Sequence, residues 1–304
     1  LFIGIDQEGG RVSRLPDEFT IFPPMADVAK HDSVALCYSV GEITAKELKA
    51  SGINLDFAPV LDIHSNPKNP IIGDRAFGTT PAEVCKLTLP VIMGLQDNGV
   101  IACGKHFPGH GDTSTDSHKT LPKVDLPFDR LLDFEMKPFQ HAVANRLESI
   151  MTAHVLYKRL DPENPASLSR IIVSEILREG MEFDGLVFSD DLEMQAILDH
   201  YTAREAAVKA IRAGSDIVLV CKRADLVREA YEGLLQAVQK GSISEKALAL
   251  SLTRISKVKE KYLFKFETPQ LKKAREIVGC EAHREALARI LEEPVKRKSS
   301  PKKS

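Results

Sequence analysis

Apolar runs of strand length alternate with amphipathic segments of helical length along most of the chain. The apolar runs contain few polar residues, which is typical of strands buried on both faces of a parallel sheet. Strands are predicted at residues 1–6, 53–60, 100–106, 150–155, 185–189 and 215–221. Helices are predicted at residues 34–50, 81–98, 131–145, 169–182, 203–213, 224–239 and 244–262. This order favours an α/β fold in which helices cover the outer face of a parallel sheet.

Polar side chains stand at the ends of all the predicted strands except the last. They are Asp6, Asp62, Lys105 with His106, His154, and Asp190 with Asp191. The carboxyl ends of parallel strands converge on one face, which is where (β/α)8 barrels carry their active sites. No Gly-x-Gly-x-x-Gly turn follows a strand, which argues against a dinucleotide-binding fold. We therefore predict a (β/α)8 barrel.

The chain opens with Leu1 inside a predicted strand, and six strands are visible where a closed barrel needs eight. We expect two more strands before Leu1, so that the barrel is incomplete at the amino end of this sequence. We place the catalytic barrel at residues 1–264. A helical extension with a basic, unstructured tail is expected at residues 265–304.

Composition narrows the possible partners and the compartment. The 304 residues carry a net charge of −2, whereas nucleic-acid binders have a strong basic excess. No apolar run approaches the roughly 18 residues needed to cross a membrane. The cysteines are odd in number and form no Cys-x-x-Cys pair, so we expect buried free thiols in a reducing, cytoplasmic compartment. They are Cys37, Cys85, Cys103, Cys221 and Cys280. We expect neither a nucleic-acid nor a membrane partner.

The segment at residues 104–122 is the richest in candidate chemistry. Its nineteen residues hold three of the nine histidines and two aspartates between glycines and prolines. It is predicted to be an ordered loop after a buried strand, where catalytic groups are often placed. Asp116 lies two residues before His118, close enough to orient and charge-stabilise the imidazole as a general acid/base. A histidine-rich surface turn is the alternative.

Four motifs occur in order and carry a family resemblance. They are IDQEGGRVSRL at residues 5–15, NPIIGDRAFG at 69–78, the segment 104–122, and FSDDLEM at 188–194. With these motifs the chain resembles glycoside hydrolase family 3 from Leu1 to about Tyr262. The histidine-rich segment is similar to that of the family's β-N-acetylglucosaminidase branch, which glucosidase members lack. The resemblance implies a monomer that removes N-acetylglucosamine from cell-wall muropeptides without a metal or organic cofactor.

The resemblance also implies roles for individual residues. Asp190 matches the nucleophile that forms a covalent glycosyl-enzyme, His118 the general acid/base, and Asp116 its dyad partner. Matches to the sugar pocket are Asp6, Arg14, Arg75, Lys105, His106 and Met194. The usual glycosidase uses two carboxylates, but an imidazole with an ordinary pKa of about 6.5 can both protonate the leaving oxygen and later deprotonate water.

Single residues have other interpretations. Asp191 is expected to cap a helix that begins near Leu192. Met194 is as well suited to the core as to the pocket, and His154 to a supporting position behind the site. Glu8 is expected to hold its turn rather than touch substrate.

Other site chemistries stay open at this point. His106 and His110 are spaced like metal ligands and, with Asp112 or His154, could form a zinc site. A retaining phosphorylase is a close rival, because a neutral histidine repels phosphate less than a carboxylate would. A non-catalytic sugar-binding barrel would keep the fold but lose the catalytic groups, which are present here.

Overall fold

The main feature of the fold is a sheet of six parallel strands. The computed structural model describes residues 1–115, 120–264 and 267–292. The strands of this sheet adjoin in chain order, as in a barrel wall, and each is parallel to its neighbours. They are β1 (Gly4–Ile5), β2 (Leu55–Asp56), β3 (Ile101–Phe107), β5 (Ser149–Thr152), β7 (Leu186–Asp191) and β8 (Ile217–Leu219). The parallel α/β prediction is confirmed for these strands, whereas closure into an eight-stranded barrel stays a prediction.

A second, two-stranded parallel sheet was not predicted. It consists of β4 (Lys123–Val124) and β6 (Leu156–Tyr157). These pieces are two residues long, too short to leave a periodic signal in the sequence. This small sheet joins the end of the histidine-rich segment to the chain that follows β5. The Leu156 N–H also donates to the Pro122 carbonyl oxygen at 2.9 Å.

Helices α1 to α11 cover and extend the sheet. They are α1 (Met25–Ala29), α2 (Val34–Ala50), α3 (Pro81–Asp97), α4 (Phe128–Arg130), α5 (Lys137–Ala144), α6 (Gln195–Leu198), α7 (Ala203–Ala213), α8 (Ala224–Gln239), α9 (Glu245–Leu263), α10 (Leu271–Ile277) and α11 (Glu281–Leu291). The segments Leu131–Glu135 and Ile171–Gly180 are π-helical, and Gly73–Arg75 and Ala166–Leu168 are 3-10 turns. Capping boxes begin α3 at Thr80 and α7 at Thr202.

Alternate residues of the strands fill two apolar layers. In β3, Ala102 faces the layer shared with the outer helices, whereas Ile101 and Cys103 face the opposite side. On that side α9 contributes Ile255 and Val258 to the apolar layer. Arg254 of the same helix pairs with Asp184 and Asp216, which precede β7 and β8. Helix α9 therefore covers the amino ends of these strands, and the carboxyl ends are left for polar chemistry.

The last two helices pack back on α2 through a buried carboxylate. Glu47 accepts hydrogen bonds from Gly279 N–H at 2.9 Å and from His283 Nδ1 at 2.7 Å. It also accepts the Thr20 N–H at 2.8 Å. The division into residues 1–264 and 265–304 stays a prediction, but α10 and α11 are docked on the rest of the chain. No helix in the three described ranges is long and apolar enough to cross a membrane.

Candidate active site

Local irregularities of the sheet place the candidate residues. Between Gly104 and Phe107, β3 contains one more residue than the matching stretch of β5, and Lys105 and His106 lie in this bulge. The strand thus runs through Phe107, and the first four residues of the segment 104–122 belong to it rather than to a loop. Strand β7 has a similar shift against β8 between Phe188 and Asp191, where Asp190 lies. Bulges redirect side chains, and they are frequent beside active sites.

A buried network of ion pairs joins the ends of β1 and β3. Lys105 Nζ lies 2.7 Å from Asp6 Oδ1 and 2.6 Å from Glu8 Oε1. Arg75 binds Glu8 through two hydrogen bonds, each 2.8 Å long. The Lys105 side chain is 2% exposed and that of Asp6 is 43% exposed, so Asp6 is the part of the network open to a ligand.

Glu8 is the centre of this network, and the expectation that it only holds a turn was too narrow. Burial raises the pKa of Glu8, but Lys105 and Arg75 outweigh burial and bring it far below its ordinary value. Burial lowers the pKa of Lys105, but Glu8 and Asp6 outweigh burial and hold it above its ordinary value. The side chains of Glu8, Lys105 and Arg75 are therefore all charged at neutral pH.

Replacing Glu8 by glutamine is expected to lower the free energy of unfolding by about 3–5 kcal/mol at pH 7, because two buried cations lose a shared partner. The pKa of Glu8 is lowered on folding, so its contribution is complete above its unfolded value near 4.5 and is lost as the pH falls towards its folded pKa. Urea unfolding of both proteins from pH 7 to pH 3 should show the difference shrinking on the acid side. Glu179→Gln, at an exposed position, is the control. A pH-independent difference would contradict this account.

His106 is held by Asp62, a buried carboxylate that the sequence indicated only as the polar end of a strand. Its Nδ1 lies 2.7 Å from Asp62 Oδ2, and Asp62 also accepts the backbone N–H groups of His106 and His110. The Nε2 of His106 lies 3.5 Å from Arg75 Nη2. Burial raises the pKa of Asp62, but His106 and His110 outweigh burial and lower it.

The alternative of a zinc site at His106 and His110 finds no support in the part of the chain that the structure describes. No group of three or more histidine, cysteine or acidic residues is arranged there to hold a metal ion. Burial lowers the pKa of His110 to about 4, so its imidazole is neutral. The Nδ1 of His110 lies 2.8 Å from Thr113 Oγ1, which gives it a structural contact.

Asp190 stands at the end of β7, and its Oδ1 accepts the Asp191 N–H at 2.8 Å. Burial raises the pKa of Asp190, but His154, His106, the Asp191 N–H and Lys105 together hold it below its ordinary value. Burial also lowers the pKa of His154, so its imidazole is neutral at pH 7, and we attribute the ionisation of Asp190 chiefly to the charge of Lys105 and the backbone donor. An ionised carboxylate at this position is suited to nucleophilic attack.

His154 supports Asp190 from behind, as one interpretation of the sequence expected. Its Nε2 lies 3.0 Å from the Asp191 carbonyl oxygen, and its Nδ1 lies 2.7 Å from Ser167 Oγ. The imidazole therefore donates through Nε2 and accepts from the Ser167 hydroxyl. This contact holds the carbonyl of Asp191, the residue whose own N–H binds the Asp190 carboxylate.

The prediction that Asp191 caps a helix near Leu192 was wrong. Helix α6 begins at Gln195, and the Asp191 carboxylate instead accepts the Glu193 N–H at 3.0 Å and the Cys221 N–H at 3.2 Å. A short turn thus separates strand from helix, and Asp191 ties the end of β7 to the chain after β8. Cys221 is exposed, which also corrects the expectation of uniformly buried thiols.

The remaining predicted residues differ in how they join the site. Met194 is buried, with 8% of its surface exposed. Arg14 is exposed, and the bond that fixes its position runs from its backbone N–H to Gln7 Oε1 at 3.0 Å. The predicted acid/base His118 and its partner Asp116 lie outside the described residues. The structure gathers into one network Asp6, Arg75, Lys105 and His106, together with Glu8 and Asp62.

The chain matches the family model of the glycosyl hydrolase family 3 N-terminal domain over residues 1–258 and belongs to this family. It is 41% identical over 249 residues to a protein named beta-hexosaminidase from Methylococcus capsulatus, a match that covers 80% of this chain and 72% of that protein. The resemblance to family 3 is thereby confirmed.

Solved structures give the same picture of the fold. A family 3 beta-N-acetylglucosaminidase from Paenibacillus sp. has a TM-score of 0.92 and 40% identity, and the match covers 95% of this chain but 55% of that one. The beta-glucoside phosphorylase BglX has a TM-score of 0.89 at 25% identity, covering 95% of this chain and 54% of BglX. Zn-bound CbsA from Thermotoga neapolitana has a TM-score of 0.81 at 34% identity, covering 88% of this chain and 57% of CbsA. The chain thus spans little more than half the length of these proteins.

Proposed function

We propose that this chain is the catalytic domain of a retaining β-N-acetylglucosaminidase that releases terminal, non-reducing N-acetylglucosamine. The observation that carries the proposal is the position of Asp190 at the end of β7, where its carboxylate accepts the Asp191 N–H and lies in the electrostatic field of Lys105. Membership of family 3 and relatives named beta-hexosaminidase support the reaction class. Anhydromuropeptide fragments of the cell wall are the proposed substrates.

In the proposed mechanism Asp190 attacks the anomeric carbon and forms a glycosyl-enzyme. His118, charge-stabilised by Asp116, protonates the departing oxygen and then removes a proton from the attacking water. The lowered pKa of Asp190 keeps it ionised from about pH 4 upward. If kcat/KM falls as the pH is lowered within the range where Asp190 is ionised, the group that titrates must therefore be a different one.

The sugar pocket is proposed to consist of residues of the network at the strand ends together with Arg14 and Met194. Asp6, open to solvent and held by Lys105, is suited to accept hydroxyl hydrogen bonds, and charge-assisted bonds of this kind are strong. The guanidinium of Arg75 is already oriented by Glu8, so little entropy is lost when it binds a ligand. The other proposed pocket residues are Arg14, His106 and Met194.

The substrate preference tests this proposal. Purified protein should cleave an aryl β-N-acetylglucosaminide with a kcat/KM at least about 100-fold above that for the matching β-glucoside, because a site built to bind the acetamido group leaves polar groups unpaired with glucose. Equal rates, or a preference for the glucoside, would contradict the proposed substrate class.

Phosphorolysis is the second candidate, favoured by the likeness to BglX. Water and phosphate would compete for the same glycosyl-enzyme, so the two reactions differ only in the second step. Hydrolysis predicts free N-acetylglucosamine with or without phosphate. A phosphate-dependent rate with the 1-phosphate as product would establish the phosphorylase instead.

Chelation by EDTA is expected to leave activity unchanged, because the proposed steps use only protein groups. The zinc in the related CbsA makes this worth measuring directly. Activity should be compared before and after dialysis against EDTA, with a dialysed sample lacking EDTA as the control. Loss of activity that zinc restores would overturn the metal-free mechanism.

A further inference from the structure

Asn69 lies between the two loops that follow β2 and β3, and its side chain bonds to both. The residue is 5% exposed. Its Oδ1 accepts the N–H groups of Ile71 at 2.8 Å and Ile72 at 2.9 Å. Its Nδ2 donates towards the His110 carbonyl at 2.8 Å, the Gly111 carbonyl at 3.0 Å and Thr113 Oγ1 at 3.1 Å.

The chemistry of these neighbours fixes the orientation of the amide. Two backbone donors face one end of the side chain, and two carbonyl acceptors face the other. A rotated amide would set oxygen against oxygen and N–H against N–H, so only one orientation satisfies a buried asparagine. Both halves of Asn69 are therefore in use, each for a different loop.

The first loop carries Arg75, which is proposed to bind the sugar. Ile72 precedes the 3-10 turn Gly73–Arg75, and Arg75 Nη1 also donates to the Ile71 carbonyl at 3.2 Å. The position of the Arg75 guanidinium beside Glu8 thus depends on the backbone that Asn69 holds.

The second loop leads to the proposed acid/base. Only two residues, Ser114 and Thr115, separate Thr113 from Asp116 in the chain. The backbone at Gly111 lies against the segment that follows β2. A Cβ atom added at Gly111 would lie 1.6 Å from the Ile63 carbonyl oxygen. The chain at residues 110–113 is therefore held by this close approach, by Asp62 at the His110 N–H, and by Asn69 at the His110 and Gly111 carbonyls.

We propose that Asn69 is a positioning residue that fixes the start of the acid/base segment relative to Arg75, and so relative to the bound sugar. This inference rests on the proposed glycosidase function. Asn69 acts through the backbone of residues 110–113 and does not touch substrate. Displacement of a catalytic group by about 1 Å can lower a rate about 100-fold, so the coupling has a measurable consequence.

The test uses Asn69→Asp, which keeps the acceptor for Ile71 and Ile72 but removes the donors to the second loop. Asn145→Asp, at an exposed position where the side chain donates to the His141 carbonyl of the preceding helix, is the matched control. The first readout is amide hydrogen exchange at residues 110–113. We expect exchange there to be at least about tenfold faster in Asn69→Asp, with both proteins alike elsewhere in the sheet.

The second readout is kcat/KM for two β-N-acetylglucosaminides, an activated aryl glycoside and an unactivated disaccharide. A displaced acid lowers the disaccharide value about 100-fold and the aryl value only a few-fold, because an acidic leaving group needs little protonation. Equal losses on both substrates, or unchanged exchange at residues 110–113, would overturn the proposal. If Asn69→Asp does not fold, Thr113→Val removes one partner of the same contact and should shift both readouts in the same direction.

These results separate the two proposals. A wild-type protein that cleaves neither substrate would refute the proposed function. Hydrogen exchange would still decide whether Asn69 holds the second loop, because it requires no turnover.

Discussion

Replacing Asp190 by asparagine is expected to lower kcat by about four to six orders of magnitude, the usual result of deleting a catalytic nucleophile. The amide has nearly the same shape and still offers an oxygen to the Asp191 N–H, so the fold should persist. It lacks the negative charge needed to attack the anomeric carbon. Steady-state rates with an aryl β-N-acetylglucosaminide measure the loss, and thermal unfolding checks the fold.

Asp199→Asn is the matched control for this variant. Asp199 is exposed just after α6, and its carboxylate accepts from Gln195 of the same helix. This protein should have wild-type rates. Residual activity of Asp190→Asn above about a tenth of wild type, with the control unaffected, would show that Asp190 is not the nucleophile.

Replacing His118 by alanine is expected to have the second largest effect, and one that depends on the leaving group. An acidic aryl leaving group departs with little protonation, so the rate of glycosylation of Asp190 falls only slightly. The second step lacks its general base, and its rate should fall by about 10²–10⁴-fold. The glycosyl-enzyme should then accumulate, giving a burst of aryl release and a low apparent KM. For a disaccharide substrate the first step should fall by a similar factor.

Pre-steady-state kinetics with aryl glycosides of different acidity check this prediction. Asp116→Ala should give a milder form of the same pattern, because it removes only the group that orients and charges the imidazole. His200→Ala, at an exposed position, is the control. Equal losses on all leaving groups, without a burst, would exclude His118 as the acid/base.

The elements with local signals could be predicted from the sequence. All six strands of the main sheet, and α2, α7 and α8 with their bounds, follow from apolar periodicity, and Gly214 marks the end of α7. The segment Ile171–Gly180 was expected as an ordinary helix but is π-helical, because periodicity alone does not fix which backbone bond closes each turn.

The site was predictable by its residue types but not by its internal contacts. Glu8 and Arg75 lie 67 positions apart in the chain, and neither residue alone indicates the bidentate pair. The two strand shifts at Lys105–His106 and at Asp190 fall on polar residues, where the apolar pattern stops and no longer indicates how the strands pair. The bonds of Asn69 to two loops were likewise missed, although the residue opens a motif that the sequence analysis singled out. A polar residue beside a proline in such a motif is the signal that could have indicated it.

The most direct test of the central claim is to trap the glycosyl-enzyme with a 5-fluoro derivative of an N-acetylglucosaminyl donor and sequence the labelled peptide. The proposed mechanism predicts a mass increase of one fluorinated N-acetylglucosaminyl group per chain, carried by Asp190 within residues 188–194. A label on Asp191 or on a peptide outside these residues would contradict it, as would turnover of the substrate with no labelled protein.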